Sequence, residues 1–240
     1  MEYTSTSKEL MHRFFVDKKE GELLYITDPV DVNHLKQVLR LHKGDKVEAV
    51  FNKRLFFCEI NAIEKEVSLI PYEEENREGS PLHLTLLQGL PKGTKVDEIL
   101  KDGTQVGIDA FILTEMKRSV SKGATKKKER FERILKDAAK QSKALQVPPL
   151  SFLSLKEVQY GDYDAIYLLD EEEKEDESFK DLPERVLVIV GPEGGISEEE
   201  RLFLKEQGAV AKSLEKRILR TELAGVTTAF LLRYLKGQHL

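Results

Sequence analysis

The 240-residue sequence predicts an α/β protein made of a small N-terminal β-barrel and a larger C-terminal domain built on a mainly parallel sheet. Three observations carry that expectation. Up to about residue 72 the apolar residues fall in short β-rich runs separated by turn residues, with room for a single helix. Beyond Pro81, strand-like and helix-like segments alternate, the pattern of parallel strands joined by helical crossovers. Between them lie Glu73-Glu74-Glu75-Asn76-Arg77-Glu78 and Gly79-Ser80-Pro81, an acidic and turn-rich stretch of the kind that separates domains. The expected organisation is residues 1–72, a linker over 73–81, and residues 82–240.

In the first domain, strands are expected at 23–26, 46–51, 56–60 and 67–70. Lys43-Gly44-Asp45 and Asn52-Lys53 supply turns. A helix beginning near Asp31 would place Val32, Leu35, Val38 and Leu39 on one face. In the second domain, strands are expected at 82–87, 110–114, 165–169 and 186–190, with helices over 96–106, 127–145, 198–207 and 221–236. Ser197 and Glu200 have the spacing of a capping box. Thr221 is the expected N-cap of the last helix, whose Leu223, Val226, Phe230 and Tyr234 recur at helical spacing and are assigned to the core or to a subunit interface. In a sheet of this class a ligand site lies at the carboxyl ends of the strands.

Composition narrows the functional classes. With 38 Lys+Arg against 43 Asp+Glu the net charge is -5, and 40% hydrophobic residues suffice for a globular core. The apolar runs are strand-sized, well short of the roughly 20 residues that span a bilayer, so no membrane segment is expected. The polar N-terminus lacks the apolar region of a secretory signal, which makes the cytoplasm the expected location. One cysteine and five scattered histidines offer neither a disulfide framework nor metal-ligand spacing, and no metal is expected.

Charge is unevenly placed. Residues 117–143 hold eleven bases and three acids, a local balance of +8 within an acidic chain. The same stretch carries an apolar stripe of Phe131, Ile134, Leu135, Ala138 and Ala139, so a helix there would dock with a basic ridge outward, suited to phosphate backbones. Residues 171–177, with six acids, read as a solvated loop.

Two segments point to chemistry. Residues 186–200 form a buried strand, the glycine-rich turn Gly191-Pro192-Glu193-Gly194-Gly195 and a helix start. Neither nucleotide-binding glycine fingerprint is present, and Glu198, Glu199 and Glu200 in the first helical turn would repel a polyphosphate. A phosphate-free flat heterocycle, approached closely by glycine backbone, fits better. The second segment runs from Ser213 to Glu222. Its Arg220 and Glu222 are either a charge clamp and proton acceptor or a surface ion pair.

Gly191-Pro192-Glu193-Gly194-Gly195 is followed about 20 residues later by Arg217-Ile218-Leu219-Arg220-Thr221-Glu222. Upstream stand Arg13-Phe14-Phe15-Val16, His34 with Val38-Leu39-Arg40, Gly44-Asp45, Arg118-Ser119-Val120, Ala138-Ala139-Lys140-Gln141-Ser142 and Val147-Pro148. In this order, over residues 11–238, the sequence resembles the RsmE family of SPOUT-class RNA methyltransferases. The resemblance implies an N-terminal PUA-like barrel, a C-terminal α/β domain tied in a trefoil knot, and a homodimer to which the last helix contributes. It implies S-adenosylmethionine as cofactor, in a pocket lined by Leu169, Gly191, Gly195, Leu214, Ile218 and Leu219, largely through backbone atoms. The implied partner is 16S ribosomal RNA or the small ribosomal subunit, its phosphates held by Arg13, Arg40, Arg118, Lys126, Lys127 and Lys128, and the implied reaction methylates ring nitrogen 3 of a uridine. That nitrogen is protonated at neutral pH, so a proton must leave. Arg220 is the expected cation near the uracil carbonyls, Glu222 the carboxylate that orients it or accepts the proton, and Glu193 the reserve candidate. The chain departs from the family pattern at Asp102-Gly103-Thr104-Gln105, where Lys-x-Thr-Glu is usual, at Ala144 in place of an arginine, at Glu215 in place of a glycine, and at Leu223 in place of a threonine. Those departures define the alternative, a non-catalytic RNA-binding paralogue without competent cofactor binding.

Overall fold

The computed structural model describes residues 11–76, 80–170, 179, 182–213 and 219–237. By its contacts the chain divides into two units. One holds the chain up to Gly79 together with Lys140–Gln146, and the other holds Ser80–Ala139 with Val147 onward.

The first unit is a six-stranded sheet. Its strands β1 (Arg13–Phe15), β2 (Lys18–Glu20), β3 (Leu23–Ile26), β4 (Lys46–Phe51), β5 (Arg54–Ile63) and β6 (Val67–Glu75) lie in the order β1-β4-β5-β6-β3-β2. Every pair is antiparallel except β1 with β4. Asn52 and Lys53, both at positive φ, make the two-residue turn between β4 and β5, the geometry whose twist matches a hairpin. Register shifts at Phe57/Cys58 and Ile60/Ala62 bend the long β5–β6 pair, and the sheet curls into a half-barrel with β1 and β2 at its edges. Leu24, Ile26, Val47, Ala49, Ile60 and Leu69 fill the concave side. Val32 of helix α1 (Pro29–Asn33) and Leu35 just beyond it close it, and α1 is capped by the Asp28 carboxylate, which accepts from the Val30 amide at 2.9 Å. The chain then widens into a π-helical turn over 34–38, which breaks the 3.6-residue spacing. Val38, expected on the buried face, is consequently 64% exposed. Strand β6 continues through Glu73–Glu75, part of the stretch read as linker.

Residues 140–146 belong to this unit through charge. The buried Arg13 guanidinium pairs with Glu48 at 2.7 Å and donates to the carbonyl of Ala144 at 2.9 Å and to that of Lys143. Lys143 reaches Glu48 at 2.9 Å, and Lys140 pairs with Asp31.

The second unit is a parallel sheet of β7 (His83–Gly89), β8 (Ala110–Thr114), β9 (Leu150–Phe152), β10 (Ala165–Leu169), β11 (Arg185–Val190) and β12 (Ala209–Lys212), in the order β12-β10-β11-β7-β8-β9. On one face Leu84, Leu86, Val186 and Val188 pack against α2 (Lys95–Gln105), α3 (Lys128–Gln141) and the C-terminal helix over 221–235. On the other face Leu87, Ile166, Leu168 and Ile189 pack with Ile196 and with Leu204 of α4 (Glu198–Glu206). α3 ends at Gln141, short of the expected 145, and Lys143 takes a positive φ beyond it.

The C-terminal helix α5 (Thr221–Leu235) corrects two expectations. Its N-cap is Arg220, not Thr221, whose hydroxyl is spent on a loop carbonyl instead. Its buried face is Thr221, Ala224, Gly225, Thr228, Ala229, Leu232 and Arg233, while Leu223, Phe230 and Tyr234 are about half exposed. Small residues face the sheet because the helix lies very close to it: a Cβ on Gly225 would come within 2.8 Å of Leu86. The core reading of the 223/226/230/234 stripe therefore falls. Residues 214–218, just before α5, and the acidic segment 171–177 lie outside the described residues. Among the described residues no helix is long and apolar enough to cross a membrane, and no cluster of His, Cys, Asp and Glu could hold a metal.

Candidate active site

The carboxyl ends of β7, β8, β10 and β11 meet in one region of the second unit. Its centre is the glycine turn after β11. Gly191 is buried, and a Cβ there would lie 2.7 Å from Ile196, so the turn closes only with glycine. Gly195 stands at φ +71°, a left-handed conformation that L side chains rarely take. The turn ends in the expected capping box: the Glu200 carboxylate accepts from the amide and hydroxyl of Ser197 at 3.0 and 2.7 Å.

Two buried side chains tie this turn to its neighbours. Gln88, at the end of β7 and fully buried, donates through Nε2 to the Thr221 hydroxyl at 2.9 Å and to the Gly191 carbonyl at 3.3 Å. Thr221 in turn donates to the Gly191 carbonyl at 2.6 Å. The start of α5 is thereby bolted to the glycine turn, which fixes where Arg220 and Glu222 stand. Gln88 Oε1 is buried and has no hydrogen-bond partner among the described residues. An unfilled acceptor beside the turn, with half-buried Leu169 and Leu219 flanking, suits a ligand that carries hydrogen-bond donors and a flat apolar body.

The charged part of the site is a lysine shared by two carboxylates. Lys95 Nζ lies 3.1 Å from Glu193 of the glycine turn and 3.0 Å from Glu222 of α5. The amide of Lys92 also donates to Glu193, at 3.0 Å. Burial pushes both glutamates up, but backbone amide hydrogen bonds and Lys95 outweigh it and hold both carboxyl groups below the ordinary glutamate range. Glu222, followed by Glu193, raises the Lys95 ammonium. All three groups are therefore charged at neutral pH, with a net charge of -1. Sequence reasoning missed Lys95, although one signal was available: as the first residue of α2 it places a cation where the helix dipole favours an acid.

The expected residues sort as follows. Glu193, Glu222, Gly191, Gly195, Leu169, Leu219 and Arg220 all belong to the strand-end region or to the segments bolted to it. Leu214 and Ile218 lie outside the described residues. Arg118 is exposed and donates to the Gly194 carbonyl at 3.0 Å, leaning on the glycine turn, while the adjacent Lys117 pairs with Glu199 at 2.8 Å. Lys126, Lys127 and Lys128 are exposed at the head of α3, and Arg40 is exposed in the first unit. Arg13 is buried and committed to Glu48 and two carbonyls, which makes it a strut of the half-barrel rather than an exposed phosphate ligand. Of the departures, Gln105 ends α2, Ala144 lies in the first unit and Glu215 is outside the described residues.

Comparison with known proteins agrees with this geometry. Residues 78–233 match the RNA methyltransferase domain family, and residues 26–70 match the RNA methyltransferase PUA domain family. The chain is 35% identical to ribosomal RNA small subunit methyltransferase E of Bacillus subtilis, across 89% of this chain and 93% of that protein. It superposes on a methyltransferase of Legionella pneumophila in complex with S-adenosylmethionine with a TM-score of 0.81 and 26% identity, covering 94% of this chain and 98% of the other. The Neisseria gonorrhoeae ribosomal RNA small subunit methyltransferase E, bound to S-adenosylmethionine, shares the fold with a TM-score of 0.81 at 23% identity, covering 94% and 98%. With the glycine turn, the bolted start of α5 and a parallel strand-end site in place, the chain belongs to the ribosomal RNA small subunit methyltransferase E family.

Proposed function

We propose that this chain transfers a methyl group from S-adenosylmethionine to ring nitrogen 3 of a uridine in the 16S ribosomal RNA of the small subunit. The observation that supports this most is Lys95 held between Glu193 and Glu222 at the edge of the glycine turn. In this reading Leu169, Gly191, Gly195 and Leu219, with Leu214 and Ile218, hold the cofactor, and the free Gln88 oxygen accepts from it. S-adenosylmethionine supplies an electrophilic methyl on a cationic sulfur, which the net negative cluster tolerates.

The residues' task is the uracil. The N3 proton passes to solvent water, leaving a uracil anion whose charge spreads onto the flanking carbonyl oxygens, so fixed cations beside those oxygens lower the cost of deprotonation. Arg220 and Lys95 are those cations. Glu193 and Glu222, held below the ordinary glutamate range, are poor proton acceptors and serve to fix Lys95 and orient Arg220. Arg40, Arg118 and Lys126 to Lys128 hold RNA phosphates, with the first unit serving as an RNA-holding module. The half-exposed Leu223, Phe230 and Tyr234 of α5 form a homodimer surface. A ribosomal substrate places the protein in the cytoplasm.

Calorimetric titration with S-adenosylmethionine and with S-adenosylhomocysteine tests the reading. Micromolar binding that a bulky residue at Gly195 abolishes, followed by methyl transfer to unmethylated small subunits mapped to uridine N3, is the expected result. No binding, with or without RNA, turns the chain into a non-catalytic RNA-binding paralogue, the reading that Gln105, Ala144 and Glu215 favour.

A further inference from the structure

The loop joining β7 to α2 has two working sides. One side presents the Lys92 amide and Lys95 to the carboxylates described above. The other side, through Pro91, Gly93 and Thr94, walls an open cavity of about 400 Å³, solvent at its mouth included. The opposite wall is the start of the basic segment, with Ser121, Lys122, Lys127 and Arg130. Lys122 and Lys127 are exposed at the rim, and Arg130 is anchored by an ion pair to Asp97, which also lines the cavity. Three cations against one neutralised carboxylate leave the lining at +2. Buried Leu90, Val96 and Phe131 form an apolar floor.

Two features of the wall leave room and hydrogen-bonding capacity for an occupant. The Thr94 side chain makes no capping hydrogen bond to α2, although it occupies the N-cap position. A Cβ built on Gly93 would meet nothing within 4 Å, so the wall is open there. A rim of cations and hydroxyls over an apolar floor suits a sugar-phosphate unit, with the phosphate on the lysines.

We infer that this cavity takes a backbone phosphate of the single-stranded RNA next to the methylated uridine. The inference rests on the proposed RNA substrate and adds where one phosphate of that strand is held. Because the loop that walls the cavity carries Lys92 and runs directly into Lys95 at the start of α2, a seated phosphate steadies the lysine on which Glu193 and Glu222 are fixed.

The test uses the full chain, fluorescein-labelled single-stranded oligouridylate, and small subunits lacking the methyl group. The double variant Lys122→Ala/Lys127→Ala removes the rim cations. Lys101→Ala/Lys156→Ala removes the same charge from exposed positions elsewhere on the unit, and Ser121→Phe fills the cavity with charge unchanged. The cavity double variant should flatten the slope of log affinity against log salt by about 0.7 per lost phosphate contact. It should also raise KM for small subunits about tenfold with KM for S-adenosylmethionine unchanged, and Ser121→Phe should raise KM for small subunits likewise. Equal losses in the two double variants or an unaffected Ser121→Phe would overturn the inference. A wild-type chain that binds oligouridylate but never methylates small subunits would sink the proposed function, while the salt slopes would still judge the cavity.

Discussion

Lys95 is the residue on which the charge balance of the site turns. Replacing it with methionine removes the cation and leaves two partly buried carboxylates facing each other. Their titration should then move up toward or beyond the ordinary glutamate value, since burial and mutual repulsion would act with only the backbone amides and Arg220 in opposition. In the wild type both groups are held low, so the cluster stays ionised until the pH falls below the ordinary glutamate range, and it should add no inflection of its own between pH 5 and 8 to the rise with pH that loss of the uracil proton imposes. Lys95→Met should create one, detected by carboxyl carbon NMR and by a pH profile of methyl transfer, with kcat down about 10²-fold and cofactor affinity retained. A pH profile identical to the wild type's and unmoved carboxyl resonances would remove Lys95 from the mechanism. The sequence showed the glutamates of this cluster but not its centre, because a lysine in an amphipathic helix looks like any solvated one until its tertiary partners are known. Arg13 is the converse case: its motif suggested phosphate contact, and only the position of Glu48 across β1 and β4 reveals that it is buried.

Elements were more legible than contacts. The Ser197/Glu200 capping box, the strand before it and the helix after it are local in sequence, so spacing alone defined them. Ser197→Ala should cost about 1 kcal/mol in urea unfolding by removing the hydroxyl, leaving the Glu200 carboxylate with the residue-197 amide at 3.0 Å and the Lys117 amide at 2.6 Å. Unchanged stability would mean that the two backbone amide contacts to Glu200 suffice to hold the turn. Helix α5 shows where periodicity misleads. Apolar side chains at 223, 226, 230 and 234 satisfy a helical stripe, yet the sheet lies so close that glycine, alanine and threonine must face it. A stripe of small residues is the better sign of a tightly packed helix face, and the large residues are left for another surface. The π-helical turn after α1 defeated the same rule at Val38 by changing the residues per turn.

At the scale of the whole molecule, the exposed α5 stripe predicts association. Phe230→Glu/Tyr234→Glu should convert a dimer to a monomer in analytical ultracentrifugation at micromolar concentration, with unfolding unchanged because both side chains are about half exposed. A wild-type monomer would remove the homodimer from the proposed function. The first unit makes a different demand. Arg13→Ala would strip Glu48 of its closest partner and two carbonyls of their donor, a loss of about 3 kcal/mol in chemical denaturation despite the remaining Lys143 contact. Loss of RNA affinity without loss of stability would instead restore Arg13 as an RNA contact.

That dependence on residues 140–146 bears on how the chain matures. Arg13 and the carbonyl it grips are separated by 131 positions, so the half-barrel is finished by a segment synthesised after the first strands of the parallel sheet. While the ribosome is still adding residues between 80 and 139, Glu48 has Arg13 but not Lys143, Asp31 lacks Lys140, and the Arg13 guanidinium lacks the two carbonyls it grips. The N-terminal unit thus receives its last contacts late in translation, and a fragment ending at residue 79 should unfold at lower urea than the same strands in the full chain.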